Sequence, residues 1–316
     1  MSEPGTDAQP LRAVVFAYHS VGVRSLLVLL SLGVDVVLVV SHEDDPSENR
    51  WFDSVRDLAD AAGTACITPE DPNDPAVVAR VAACEPDWIF SFYYRRMLGP
   101  ELLAIPARGA YNLHGSLLPR YRGRVPVNWA VLHGERETGM SLHRMVEKPD
   151  AGALVDQESV PILPNETAHG VFCKLVCAGE TLLMRAIPAM RTGTHCETPM
   201  DLSAGSYFGG RRPEDGRIDW GRPALAVHNL IRAVAPPYPG AFTEINGRRL
   251  DLLGSWYEGE DTTAAAPRIY WDGNACYADC KGGQRTRLTR VVNEGAILRR
   301  ESFSTLFGTD VLPLPL

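Results

Sequence analysis

No apolar run in this 316-residue chain is long enough to cross a bilayer. The most apolar stretch, Leu26 to Ser41, is broken by Gly33 and Asp35 and falls short of the ~20 residues a spanning helix needs. There is no charged-then-apolar leader either. The first residues are polar, acidic and proline-bearing, so residues 1–11 are expected to form a disordered tail, not a signal peptide. Cysteine is sparse and odd in number: Cys66, Cys84, Cys173, Cys177, Cys196, Cys276 and Cys280. Such scatter excludes a disulfide framework and suits a reducing cytoplasm. The pairs Cys173/Cys177 and Cys276/Cys280 lack a matching second pair of Cys or His, so no metal site is expected. The first strand-to-helix turn, AYHSVGVRS, carries Gly22 alone instead of GxGxxG, which argues against NAD or FAD. A P-loop, HExxH, an EF-hand loop, a nucleophile elbow and internal repeats are also missing. Positive charge is in deficit, 31 Lys and Arg against 39 Asp and Glu for a net charge of −8. That balance disfavours a nucleic acid as principal partner.

What is present is ordinary globular material, 45% apolar and 22% charged, of a length comfortable for two domains. Arg12 to Ala17 reads as a first strand, and a helix follows through Leu32, capped by Ser20 and ended by Gly33. Val34 to Val40 is apolar but for Asp35, as in a strand buried on both faces. After a polar loop, His42 to Arg50, come a helix near Trp51 to Ala62, a strand at Thr64 to Ile67 and a helix from Pro75 to Cys84. Strands at Asp87 to Phe92 and Gly109 to Leu113 flank a short helix near Glu101. This alternation predicts an α/β fold with a largely parallel, doubly wound sheet. Ser141 to Met145 and Leu154 to Ile162 read as antiparallel strands, and Ala168 to Arg191 as a long helix. Glu197 to Gly210 turns to Pro, Ser and Gly. Beyond it lie a helix, Pro223 to Val234, and short strands at Phe242 to Ile245, Arg249 to Leu253, Arg268 to Trp271, Ala275 to Ala278 and Arg285 to Val292. These suggest a small barrel. The expected division is a catalytic domain over 12–200, a linker over 201–210 and a smaller β-rich domain over 211–316.

One stretch stands out: NLHGSLLPRYRGRVPVNW, Asn112 to Trp129. Asn112 and His114 end an apolar strand two residues apart, so their side chains share a face. Gly115, Ser116 and Pro119 follow, then Arg120, Arg122 and Arg124, then Pro126 at a helix start. An amide N–H can stabilise an oxyanion, a histidine can move a proton, and a carboxylate such as Asp150 can raise that histidine's pKa. The trio suits acyl transfer through a tetrahedral intermediate. Both His114 and Asp150 follow strands, whose ends converge on one rim in such a sheet. On spacing alone the blander readings outweigh this one: a turn-forming Asn112, a hydrogen-bonded structural His114, a generic turn at Pro-Asp-Ala-Gly and a solvated arginine loop. His19, His42, His133, His143, His169, His195 and His228 show no partner pattern and read as structural or surface. Ser116 lacks a triad.

The segment NLHGSLLPRYRGRVPVNWAVLHGERETGMSLHRMVEKPDAGALV resembles the core signature of the 10-formyltetrahydrofolate-dependent formyltransferases. VVFAY near the start, IFSFYYR at Ile89 to Arg95, FGGRRPEDG at Phe208 to Gly216 and RAVAPPYPGAF at Arg232 to Phe242 are similar to the branch acting on UDP-4-amino-4-deoxy-L-arabinose, the formyltransferase part of a bifunctional polymyxin-resistance enzyme. The likeness covers roughly residues 12 to 245. It implies a Rossmann-like formyltransferase domain without a dinucleotide, followed by a smaller, OB-like barrel. It also implies roles. Asn112 matches the oxyanion stabiliser, His114 the proton donor to the leaving folate nitrogen, and Asp150 the residue that raises the histidine pKa. Arg96, Met97 and Leu98, Arg124, and Val146, Glu147, Lys148, Pro149 and Asp150 match segments that hold the formyl-folate. The implied reaction is a one-carbon transfer to an amino-sugar nucleotide, in the setting of lipid A modification and antibiotic resistance. The bifunctional relative continues into an NAD-dependent decarboxylase, so oxidative decarboxylation is expected of a separate protein. Rival readings are methionyl-tRNA formyltransferase, transfer to another amine such as hydroxyornithine, and a folate- or nucleotide-sugar-binding sensor without catalysis. No metal, membrane or nucleic-acid partner is expected, and the oligomeric state stays open, a homodimer among the options.

Overall fold

The computed structural model describes residues 11–44 and 49–314. Apart from Leu11, the tail expected over 1–11 therefore lies outside the described residues, as does part of the polar loop after His42. The first elements are β1 (Arg12–Ala17), α1 (His19–Ser31), β2 (Asp35–Val40), α2 (Val55–Ala61), β3 (Cys66–Ile67), α3 (Pro75–Ala83), β4 (Trp88–Phe92), α4 (Pro100–Leu103) and β5 (Gly109–His114). Then come β6 (Arg122–Gly123), α5 (Pro126–Leu132), β7 (Glu137–Arg144), β8 (Leu154–Pro161), α6 (Ala168–Thr192) and β9 (Tyr207–Phe208). The remainder is α7 (Ala224–Val234), β10 (Ala241–Ile245), β11 (Arg248–Trp256), β12 (Arg268–Asp272), β13 (Ala275–Cys280), β14 (Gln284–Asn293), β15 (Ala296–Ile297), α8 (Arg300–Phe307) and β16 (Val311–Pro313).

Two compact units interleave in sequence. One holds the residues up to Gly123 together with Gly139–Ser159 and Lys174–Tyr207; the other holds Arg124–Thr138, Val160–Cys173 and Phe208–Leu316. In the first unit a seven-stranded sheet runs in the order β3-β2-β1-β4-β5-β7-β8. The strands from β3 to β5 pair in parallel, as the alternation predicts, and β7 pairs antiparallel to β5. β1, past Arg12, and β4 are buried along their length, with Ser91 the one polar residue within β4, and Val14, Phe16, Leu38, Val40, Ile89 and Ala110 form one core cluster with Val81 and Leu102. α1 begins at His19, two residues earlier than a Ser20 cap would place it. Tyr18 N–H donates to the Phe92 carbonyl at 3.1 Å, holding the chain extended up to the helix, and no side chain caps it.

In the second unit an antiparallel path runs β10-β11-β14-β13-β12-β16, with β15 against β14. This antiparallel, β-rich unit is a curled half-barrel, in keeping with the smaller β-rich domain expected after the α/β one, and among the described residues no pairing joins β10 to β16. Its core takes Val227 and Ile231 from α7 with Leu250, Leu252, Ile269 and Leu288. Sequence reading missed α8 and β16. α8 is a short helix of eight residues whose apolar side chains, Phe303, Leu306 and Phe307, amount to one turn of pattern, with Phe303 alone fully buried.

The stretch expected as a linker over 201–210 is packed. Ser206 Oγ accepts the Tyr121 N–H at 2.8 Å, and a Cβ on Gly205 would lie 2.3 Å from the Pro119 carbonyl oxygen. A contiguous division also fails for Arg124–Thr138. There Asn128 donates to the Ala233 carbonyl at 2.7 Å, tying α5 to α7 in the second unit.

Candidate active site

The polar end of β5 is built by strand alternation. Tyr111 and Leu113 are buried, while Asn112 and His114 share the opposite face. β7 lies alongside in a register that sets His143 opposite Asn112 and Ser141 opposite His114. The Asn112 amide donates to His143 Nε2 at 3.1 Å, and His143 Nδ1–H donates to the Arg144 carbonyl at 2.8 Å. The second bond fixes the tautomer, since a carbonyl can only accept. In that tautomer Nε2 accepts from the Asn112 amide and orients it, which leaves the second amide N–H for an oxygen outside the protein. His143, expected to be structural or surface, therefore belongs to the site.

Asp150 reaches the same place by a route the sequence did not suggest. Because β7 runs opposite to β5, it does not end on the rim where β5 ends. Met145 N–H donates to the Ala110 carbonyl at 2.7 Å, near the start of β5. The loop between β7 and β8 then doubles back, with Asp150 in the left-handed region at φ 50°. One carboxylate oxygen lies 3.5 Å from His114 Nδ1 and 3.7 Å from His143 Nε2, and the other accepts the Gly123 N–H at 2.9 Å. Burial alone would push this carboxyl up, but the two histidines and the Gly123 N–H outweigh it and bring the pKa down to about 2. Asp150 is thus a carboxylate at any ordinary pH.

His114 is buried, and its Nε2–H donates to the Tyr121 carbonyl at 2.9 Å. That commits Nε2 and leaves Nδ1, on the Asp150 side, as the titrating atom. Burial lowers the pKa, Asp150 and the Tyr121 carbonyl raise it, and His143 lowers it. The net value lies below the ordinary 6.5. Asp150 acts in the expected direction, raising the imidazole pKa, while desolvation, the larger effect, leaves it below the ordinary value. A reaction that needs protonated His114 should therefore show a kcat/KM that falls as pH rises through a midpoint below 6.5. In Asp150→Asn, with its raising charge gone, the midpoint is expected to move to still lower pH. A pH–rate profile of both proteins checks this, and an unmoved or upward-moved midpoint contradicts it.

A second layer supports the pair. Ser141 Oγ donates to the Ser116 carbonyl at 2.6 Å and accepts the Leu118 N–H at 3.1 Å, while Gln157 donates to the Leu118 carbonyl at 2.9 Å. These bonds sew the loop after β5 to β7 and β8. At the adjacent register pair, Tyr111 Oη donates to Glu197 at 2.8 Å and Arg144 binds Glu197 through two nitrogens at 2.7 and 2.6 Å. Ser141, Tyr121 and Gly123 were also missed, because Ser141 needs the register and the other two act through backbone atoms. Of the segments matched to folate binding, Arg96 and Met97 are exposed after β4, and Leu98 turns its side chain into the core. Asn73 pins this turn, accepting the Gly99 N–H at 2.6 Å and donating to the Met97 carbonyl at 3.0 Å. Val146, Glu147 and Lys148 are exposed on the loop that carries Asp150, with Pro149 half-buried. Arg124 is exposed and belongs to the second unit; Arg122 is buried, not solvated. Among the described residues no cluster of His, Cys, Asp or Glu could hold a metal ion, and no helix is long and apolar enough to cross a membrane.

Residues 25–187 match the family described as formyl transferase, and residues 211–296 match a formyl transferase C-terminal domain. Among solved structures, an N-formyltransferase from Helicobacter canadensis in complex with folinic acid and dTDP-3-aminofucose is 20% identical with a TM-score of 0.70, covering 88% of this chain and 98% of that one. A sugar 3N-formyl transferase solved in the presence of dTDP and 5-N-formyl-THF is 19% identical with a TM-score of 0.71, covering 92% and 100%. A sugar N-formyltransferase from a Shewanella species is 16% identical with a TM-score of 0.63, covering 78% and 99%. Likeness at these identities concerns the fold.

Proposed function

The chain belongs to the formyltransferase family and is a formyl-transferring enzyme, and from that premise we propose that it moves the formyl group of 10-formyltetrahydrofolate to the amine of an amino-sugar nucleotide. The observation that carries this reading is the meeting of Asn112, His114 and Asp150 on one face of the β5 end. The acceptor amine attacks the formyl carbon as a neutral nucleophile. Charge then grows on the formyl oxygen, where the free N–H of Asn112 can meet it. Expulsion of the folate nitrogen requires a proton, and His114 supplies it from Nδ1. Asp150 keeps that proton available by opposing the cost of burying a charged imidazole. Arg96 and Met97 after β4 and the exposed residues Val146 to Lys148 would hold the folate. UDP-4-amino-4-deoxy-L-arabinose is the acceptor that the IFSFYYR and FGGRR segments favour, which would place the enzyme in lipid A modification and antibiotic resistance. The structural neighbours crystallised with dTDP or a dTDP-sugar support a nucleotide-sugar acceptor in general. Seven free cysteines suit a cytoplasmic setting.

The test is a formyl-transfer assay with 10-formyltetrahydrofolate against UDP-4-amino-4-deoxy-L-arabinose, other UDP- and dTDP-amino sugars, hydroxyornithine and Met-tRNA. Turnover is expected with an amino-sugar nucleotide and highest with the arabinose derivative. Formylation of Met-tRNA alone would overturn the acceptor class. Binding of folate with turnover of no acceptor would favour a sensor.

A further inference from the structure

The turn after β9, Phe208–Arg212, takes no part in the formyl-transfer geometry, yet it is built with care. Trp129 of α5 stacks on Phe208, ring centroids 4.9 Å apart, and donates its indole N–H to the Gly209 carbonyl at 3.0 Å. The Arg211 guanidinium lies over the Trp129 ring at 4.8 Å and donates to the Asp215 carbonyl at 2.9 Å. Its Nε is buried without a hydrogen-bond partner. The Asp215 carboxylate is engaged elsewhere, accepting the Arg212 N–H at 2.7 Å. Arg124 stands beside the same turn. Its N–H donates to the Phe208 carbonyl at 2.9 Å, and a Cβ on Gly210 would lie 3.9 Å from its Nη1. A Cβ on Gly209 would meet nothing within 4 Å, so this backbone opens onto free space. The next residue after Arg124 is strained: Val125, β-branched and 40% exposed, sits in the left-handed region at φ 47°, ψ 48°. Strain of that kind persists where the surroundings impose it, often at ligand sites.

One guanidinium, of Arg211, thus rests on an indole next to this turn, a second, of Arg124, lies against Gly210, and Gly209 is open. Guanidinium forks match phosphate oxygens, and glycine lets a phosphate approach the main chain closely. We propose that the Phe208–Arg212 turn, with Arg124 and Trp129, binds the diphosphate of a nucleoside-diphosphate sugar. This rests on the amino-sugar nucleotide reading of the acceptor and assigns the part of that acceptor which the turn holds. It also gives Arg124 a partner other than the folate. Trp129 and the Asp215 carbonyl hold Arg211 in place before the ligand arrives, so little side-chain entropy is lost on binding. Burial lowers the Arg211 pKa, and Asp215 opposes this only in part, as expected of a cation awaiting an anion.

Calorimetric titration of the full chain with UDP, dTDP and UMP tests the site, using the natural protein, Arg211→Ala and Arg211→Lys. The natural protein should bind UDP and dTDP alike and UMP more weakly. Arg211→Ala should weaken UDP binding roughly tenfold or more, the scale of a lost charge-assisted contact. Arg211→Lys should recover only part, because an ammonium lacks the planar fork. Binding of 5-formyltetrahydrofolate and the melting temperature should be unchanged in both variants, which separates a lost site from a lost fold. If Arg211→Ala bound UDP within about twofold of the natural protein while that protein used nucleotide sugars, this site would be wrong and the acceptor reading would stand. If the natural protein bound no nucleoside diphosphate and formylated only amines without one, the acceptor reading would fall and take the site with it.

Discussion

His114→Ala and Asn112→Ala are each expected to lower kcat by at least ~10²–10³-fold with both substrates saturating, the range for loss of one oxyanion donor or general acid. The geometry makes the two losses different in kind. Asn112 has one N–H committed to His143 and one to offer, so its removal takes away the contact with the developing charge. His114 has Nε2 committed to the Tyr121 carbonyl, so its removal takes away the proton at Nδ1. KM for either substrate should change little, because neither contact is made fully in the ground state. The double variant should fall by less than the product of the two single effects, since the residues serve one transition state. Steady-state kinetics on purified variants with unchanged melting temperature decides the matter. Near-native turnover in His114→Ala would remove the mechanism.

Gly152→Ala is expected to be nearly as damaging, although Gly152 touches no substrate. A Cβ there would lie 2.0 Å from the Arg144 carbonyl oxygen and 3.4 Å from a Val146 methyl. That carbonyl is the one that accepts His143 Nδ1–H, and Ala153 next door accepts the Arg144 N–H at 2.8 Å. Backbone cannot step aside as a flexible side chain would, so the loop carrying Asp150 must shift. A displacement of about 1 Å at a reacting group can cost ~10²-fold in rate, and the overpacking itself typically costs ~1–3 kcal/mol of stability. The expected result is a kcat reduced about a hundredfold in a protein that still folds with a lowered melting temperature. Gly152→Ala with full activity would show that Asp150 need not be held where it is.

The parallel half of the sheet was legible because β1, β2 and β4 are mostly apolar, interrupted only by Arg12, Asp35 and Ser91, as strands buried on both faces tend to be. The Asn112 and His114 pair was legible because alternation puts i and i+2 on one face. The same rule applied to Ser141 and His143, but nothing local says which strand lies opposite, and pairing register is set by tertiary packing. That is why His143 was passed over. Asp150 was legible as a carboxylate following a strand, and the resemblance gave it a role; its approach by a reversing loop depends on β7 being antiparallel, which periodicity does not encode. The desolvation that overrides Asp150 at His114 is likewise invisible in one dimension. The open edge of the C-terminal sheet depends on curl, and short strands with turn signals read the same for a barrel and for a half-barrel.

The interleaving of the two units limits how such enzymes can be recombined. The backbone passes from one unit to the other after Gly123, Thr138, Ser159, Cys173 and Tyr207. A crossover at Tyr207 would import α7 and the antiparallel sheet from a relative but leave α5 and the start of α6 behind. The bonds from Asn128 to Ala233 and from Arg232 to the Glu166 carbonyl would then join segments of different ancestry. Acceptor preference in this lineage is therefore expected to change by substitution within the units, not by exchange of a C-terminal module.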